Sequence, residues 1–538
     1  MTDMDRDADS VPKTLAPDYS VHGAALARGA FINTIAFLAS NLRGIFTFLV
    51  ARLLGSAVLG IFGLAWATMD LVSKFSTLGF DYSAIAFIAK AEGVNDRASS
   101  RRVMKTALAI SFTSSVLLAI GGFWAVWTFG LSIGMRTEFV RATAVMLLAL
   151  PGVTLYRVST ALSRGMTVMH HDIYSRGLTE SFGTAAALLL AFALGARQLA
   201  PEIAAIAGTL ASGLVAFALA RRLFTFAPIP RSPNDDLVPL LLRASAPIAL
   251  YDLLNIGIMR IDLIMLGWFV GRAPGVTLET LGIYAAAVEV GSGLRKVSQS
   301  FTPIFTPIVA RQIAAGQIRD AEASYGYLAR WMLAGLLPAL VVLALAGGMI
   351  MTIFGTAFHR GGLWVAIIGG ACVLNAFMGL GETILMVERP KINLMNSTIA
   401  FVAAVSLNLK LIPAFGALGA ALAIFFPYLI KGVLRRVEIS WLLEWRWPWQ
   451  ALVKPWLAAL APLPLALLLR FTIHGWWSEL AAAGLYLAGY FFVWRLIGLD
   501  PSDHAVLDQL FKRKEAVGAE PVREIASRGQ VSASTEMR

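Results

Sequence analysis

The sequence predicts an all-α polytopic membrane protein of about fourteen transmembrane helices, with two six-helix lobes around a central cavity and a C-terminal helix pair. Three observations carry this. Of the 538 residues, 57% are hydrophobic and only 14% are charged, more apolar surface than a water-soluble chain can bury. Apolar runs of about twenty residues recur along the chain, each bounded by charges or turn residues. The wording also repeats: Leu59-Gly60-Ile61-Phe62 returns as Leu281-Gly282-Ile283-Tyr284. The same step of 222 residues carries Lys74 onto Lys296, Ser76 onto Ser298 and Thr77 onto Gln299.

Taken in order, residues 1–24 form a polar tail with Asp3, Asp5, Asp7, Asp9 and Asp18 and no apolar run. A cleavable signal peptide is therefore not expected at the start. An N-lobe at 25–230 contains spans near 28–51, 57–79, 104–129, 139–162, 177–195 and 203–220. A C-lobe at 231–440 contains spans near 244–270, 281–309, 328–354, 363–387, 393–411 and 415–434. Each lobe starts on the same side and holds an even number of spans, so an axis along the membrane normal should relate the two. Residues 441–498 join a Trp-rich stretch (Trp441 to Trp456), expected to lie in the interface as an aromatic anchor, to spans near 453–470 and 479–498. The tail 499–538 is polar, with a short amphipathic helix expected around 503–514. Gly44, Gly291, Gly293, Pro303 and Pro307 are candidate bending points. The single cysteine, Cys372, falls in an apolar run, which excludes an intrachain disulfide and a Cys-based metal site.

The connections alternate in charge. One set carries Lys90, Arg97, Arg101, Arg102 and Lys105, then Arg164 and Arg176, then Arg221, Arg222, Arg231 and Arg243. It continues with Arg311 and Arg319, Arg389 and Lys391, and Lys431, Arg435, Arg436 and Lys454. The opposite set has about one cation per loop: Arg52, Arg136, Arg197, Arg272 and Arg360. Positive-inside bias places the first set and both termini in the cytoplasm. The net charge of +12 is thus a topology signal spread over short loops, not a nucleic-acid surface.

Some cations lie inside the spans, where each costs roughly 2.5–3.5 kcal/mol on insertion scales, so they should face a cavity or a partner. On the second helix Asp70, Ser73, Lys74 and Thr77 share a face, and Asp70 and Lys74, four apart, can pair. The eighth helix places Glu289, Ser292, Lys296, Gln299 and Ser300 together with Arg295 at the edge, and Glu289 alone cannot neutralise both cations. The seventh sets Asp252, Asn255 and Asp262 on one side with Arg260 projecting differently; the tenth adds Asn375 and Glu382. Arg43 has no acid in its own span. Structural ion pairing is the competing reading for all of these. No catalytic constellation, phosphate-binding glycine loop or metal-ligand spacing is present, so neither an enzyme nor a bound cofactor is expected, with H+ or Na+ coupling left open.

Between Arg52 and Lys90, the runs Ala51-Arg52-Leu53-Leu54-Gly55, Leu59-Gly60-Ile61-Phe62, Leu78-Gly79-Phe80 and Ala86-Phe87-Ile88-Ala89, with Ala161-Leu162-Ser163-Arg164-Gly165-Met166 further on, are suggestive. They resemble the multidrug/oligosaccharidyl-lipid/polysaccharide exporter superfamily, and within it the bacterial polysaccharide transporters, which include O-antigen and exopolysaccharide flippases. In topology the resemblance covers about 25–498. It implies a flippase moving a lipid-linked oligosaccharide across the inner membrane by alternating access, beside polysaccharide polymerase or export machinery. A polyprenyl-pyrophosphate carrier would put Lys74, Lys296, Arg43, Arg260 and Arg295 against its headgroup or phosphates. Asp70, Asp252, Asp262, Glu289 and Glu382 would then couple ions or hold the cations. Two alternatives stand beside this reading. A cation-coupled multidrug exporter would have an acidic cavity lined with Met and aromatics, and a non-transporting scaffold of a synthesis complex would tolerate neutral residues at Lys74 and Lys296.

Overall fold

A computed structural model describes residues 43–224, 237–446, 449–473, 475 and 477–497. Within these ranges, the side chains of 43, 297–308, 383, 387–388, 390 and 449–451 fall outside the description. The described elements are helices, and ten are long and apolar enough to cross a membrane, or eleven counting one bent pair. The expected first span precedes residue 43 for most of its length and lies largely outside the described residues, as does the expected helix at 503–514.

Helix α1 (Arg43–Thr77) breaks at Gly55, where φ is 87°, and so joins the end of the first span to the second. The chain then turns at Leu78 (φ 51°) and Gly79 (φ 78°) and continues as α2 (Phe80–Gly93), a helix where the sequence suggested a loop. Glycine is needed at 79 twice over. The left-handed backbone favours it, and a methyl there would lie 2.7 Å from the Ser245 carbonyl oxygen. Asp96 caps α3 (Arg97–Phe129) by accepting from the Ser99 amide at 2.9 Å and the Ser99 hydroxyl at 2.6 Å, which holds its carboxyl below the usual range. The fourth span is not one helix. It is α4 (Thr137–Leu147) and α5 (Leu150–Gly165), bent by 42°. A π-helical stretch, Ile173–Glu180, leads into α6 (Ser181–Ala193), and α7 (Ala200–Leu223) completes the first lobe.

The second lobe contains α8 (Leu237–Trp268), α9 (Leu278–Ala314), α10 (Ile318–Met351), α11 (Gly362–Glu388), α12 (Pro390–Phe415) and α13 (Ala417–Leu443). Helices α3 and α10 end 222 residues apart, the step of the sequence repeat. Outside it, α14 (Trp449–Leu460) and α16 (Trp477–Ile497) pack on α10, and α15 (Leu463–Thr472) packs on α16. The Trp-rich stretch differs from the expected anchor at Trp445, which is buried against Tyr325 because Tyr325 on α10 offers its ring. Trp441 is 80% exposed, while Trp447 and the Trp449 side chain lie outside the described residues. Among the described residues, sharp bends fall at Gly55, Gly79 and the α4–α5 junction.

Helices α5 and α7 pack together in one lobe, α11 on α10 and α13 in the other, and α1 bridges the lobes by lying against α8 and α9. At the bridge Gly60 meets Gly282, and Gly63 meets Ala285. Each residue touches its own repeat mate, the mark of a contact on a two-fold axis. A methyl on Gly60 would lie 2.7 Å from the Leu278 carbonyl oxygen and 2.8 Å from the Gly282 nitrogen, so the helices are joined through bare backbone. Two arginines flank this contact. Arg52 Nε donates to Ile353 O at 2.7 Å at the end of α10, and Arg272 donates to Gly134 O at 2.5 Å beyond the end of α3. Together they close the interlobe space on the side away from the cation-rich loops.

Candidate functional site

Below that closure, two adjoining chambers lie between the lobes. The wider, about 550 Å³, is walled by residues of α1, α2, α5, α8, α9, α11 and α13. Eight lysines and arginines line it (Lys74, Arg157, Arg164, Arg176, Arg260, Arg295, Lys296 and Lys431) against five acids (Asp70, Asp81, Asp172, Asp252 and Glu382). The narrower, about 200 Å³, runs toward the closed side past Leu59, Phe62, Gly63 and Trp66, and shares Arg176, Arg260, Arg295 and Lys296 with the first.

The ion pairs are not those that helix spacing suggests. Asp70 does not take Lys74. Its two oxygens are held at 2.5 Å by Arg157 of α5 and at 2.8 Å by Arg260 of α8, one guanidinium from each lobe. Arg157 also donates to the Ser73 hydroxyl at 2.8 Å. Lys74 instead lies 2.9 Å from Asp81 and 2.5 Å from Asp252. The turn at Gly79 brings Asp81 back toward Lys74, and forked guanidiniums outcompete an ammonium for a carboxylate they can grip with several hydrogen bonds. Two ion pairs thus cross between the lobes with opposite polarity: Asp70 to Arg260, and Lys74 to Asp252.

A second cluster lies in the C-lobe. Glu382 meets Arg435 at 2.6 Å and Lys431 at 3.9 Å and accepts from the Tyr251 hydroxyl, while Lys431 donates to Asn255. Lys431 and Arg435 are 3% and 1% exposed, so the reading that placed them among cytoplasmic loop cations does not hold. Helix α13 runs on to Leu443, which keeps both residues inside it, opposite the acid on α11.

Lys296 lies 3.9 Å from Glu289, and Arg295 sits beside Tyr428. Asp262 is buried away from both chambers and accepts from the Tyr284 hydroxyl at 2.5 Å. The Arg43 side chain is outside the described residues. Sequence reasoning missed Arg157, although it stands among the apolar residues of an expected span, the argument applied to Arg43. It also missed Arg176 and Glu180, which the π-helical stretch turns into the chambers; such stretches recur at functional sites but leave no spacing signal.

Residues 26–309, more than half of the chain, match the sequence family described as "Polysaccharide biosynthesis protein". The chain belongs to this family. No curated protein matches it by sequence. Among solved structures, this member of the polysaccharide biosynthesis family resembles "Lipid II flippase MurJ, inward closed conformation", with 12% identity and a TM-score of 0.61 over 87% of this chain and 98% of that one. A MATE family multidrug resistance transporter in an inward-facing conformation is similar at 15% identity, with a TM-score of 0.56 over 77% and 95%. The outward-facing conformation of such a transporter gives 16%, 0.57, 78% and 96%. At these identities the likeness is one of fold.

Proposed function

We propose that this protein is a flippase that carries a lipid-linked oligosaccharide, on polyprenyl pyrophosphate, across the bacterial inner membrane by alternating access, with both termini in the cytoplasm. The surplus of cations in the wider chamber carries this reading. Two phosphates and a set of sugar hydroxyls are costly to move through hydrocarbon, and a chamber of guanidiniums and ammoniums replaces their lost hydration. Asp70, gripped by an arginine from each lobe, sits where an incoming phosphate finds its partners. The lipid tail stays in the bilayer. Coupling to H+ or Na+ falls to the chamber acids, Asp252 and Glu289 among them, and the flipped product passes to polysaccharide polymerase or export machinery. The multidrug-exporter reading is disfavoured because a chamber with this charge repels organic cations.

The test is a leaflet-resolved assay of lipid-linked oligosaccharide in cells with and without the gene. Deletion should trap precursor in the inner leaflet, with rescue by wild type but not by Arg157→Ala or Arg260→Ala expressed at equal levels. Unchanged glycan together with raised sensitivity to cationic drugs would replace the flippase reading with an exporter of cations.

A further inference from the structure

We propose that the narrower chamber is a saccharide subsite that recognises the sugar attached to the phosphate; this rests on the flippase reading. The aromatic residues Phe46, Phe62 and Trp66 line this chamber. The Phe62 and Trp66 rings stand 6.1 Å apart, with Phe46 edge-on to Phe62 at 5.3 Å. The same chamber is also lined by Glu180, Thr184, Glu289 and Ser292. A pyranose ring has an apolar C–H face and a rim of hydroxyls. Aromatic faces attract polarised C–H groups through their negative quadrupole, and carboxylates and hydroxyls accept the rim donors. A chamber lined by both aromatic rings and polar acceptors therefore fits a sugar better than a diphosphate or an acyl chain.

Position supports the assignment. Trp66 precedes Asp70 by one helical turn on α1, a rise of about 6 Å, and that is the step from a phosphate at the Arg157–Arg260 pair to the sugar bonded to it. The four cations shared by both chambers stand at the junction, where the phosphoester oxygens would lie. At about 200 Å³ the chamber suits a single ring, so the rest of the glycan stays in the wider space and contributes less to selection. An organic cation would also value aromatics and acids, but it would have to pass Arg176, Arg260, Arg295 and Lys296.

The experiment is competition binding on full-length protein in lipid nanodiscs, with two probes. One is the polyprenyl-diphosphate glycolipid pool extracted from the source cells; the other is polyprenyl diphosphate without sugar. Wild type should prefer the glycolipid. Trp66→Ala should lower that preference roughly threefold to tenfold, the worth of one aromatic contact, while keeping its affinity for bare polyprenyl diphosphate. Ser292→Ala, which removes a single hydroxyl and guards against a folding artefact at Trp66, should shift the preference the same way. Preference retained in both variants, or equal loss of both lipids, overturns the saccharide subsite alone. Wild type that binds neither lipid overturns the flippase reading, and the subsite with it.

Discussion

Replacing Gly60 with alanine places a methyl 2.7 Å from the Leu278 carbonyl oxygen and 2.8 Å from the Gly282 nitrogen. Ordinary contact begins near 3.4 Å, so α1 and α9 must part by about 0.7 Å at the two-fold contact. Neither obstructing atom belongs to a side chain that can rotate away. Overpacking of this kind costs typically about 1–3 kcal/mol, and the cost falls only on the state in which the lobes close there. The closed-to-open ratio should therefore drop by roughly 5- to 150-fold. Spin labels at Leu131 and Ile353, exposed positions on the closed side of opposite lobes, read this directly by double electron–electron resonance. A longer-distance population should appear in Gly60→Ala and grow in Gly60→Val. Unchanged distance distributions in both variants, with thermal stability also unchanged, would refute the view that this backbone contact holds that side shut.

Three further outcomes follow from the same geometry. The Arg52→Ala/Arg272→Ala double variant should open the same side by a comparable amount in the same spin-label measurement, since each arginine loses hydrogen bonding worth about 0.5–1.5 kcal/mol. Glu382→Gln leaves buried Lys431 and Arg435 without their shared counter-charge and should cost about 3 kcal/mol or more, seen as a lowered melting temperature in detergent. Tyr284→Phe strips Asp262 of its hydroxyl donor and should cost about 1–3 kcal/mol of stability; binding of lipid headgroups should stay unchanged, because Asp262 lies outside both chambers.

Much of this architecture was legible in the sequence because a bilayer imposes simple demands: about twenty apolar residues per span, and cations sorted by side. The repeat was legible for a related reason. Gly60 and Gly282 are wording that a two-fold contact between backbones requires, so the same residue type recurs at both places. The charge pairs were not legible, because they are tertiary. Helical spacing offers Lys74 to Asp70, but Arg157 and Arg260 come from other helices, and the turn at Gly79 that returns Asp81 to Lys74 shows in sequence only as one glycine. Lys431 and Arg435 read as loop cations because they follow the hydrophobic part of their span, and their acid, Glu382, lies on a different helix. Arg157 was legible, as a cation standing among the apolar residues of an expected span.

The most direct test of the central claim is translocation by the purified protein in proteoliposomes, with the source cells' polyprenyl-diphosphate oligosaccharides placed in one leaflet and their appearance in the other followed over time. The account predicts transfer by wild type, loss of transfer in Arg157→Ala and Arg260→Ala, and no effect from an added cationic drug. Transfer that survives removal of both arginines in a folded protein, or transport of the drug in place of the glycolipid, would contradict it.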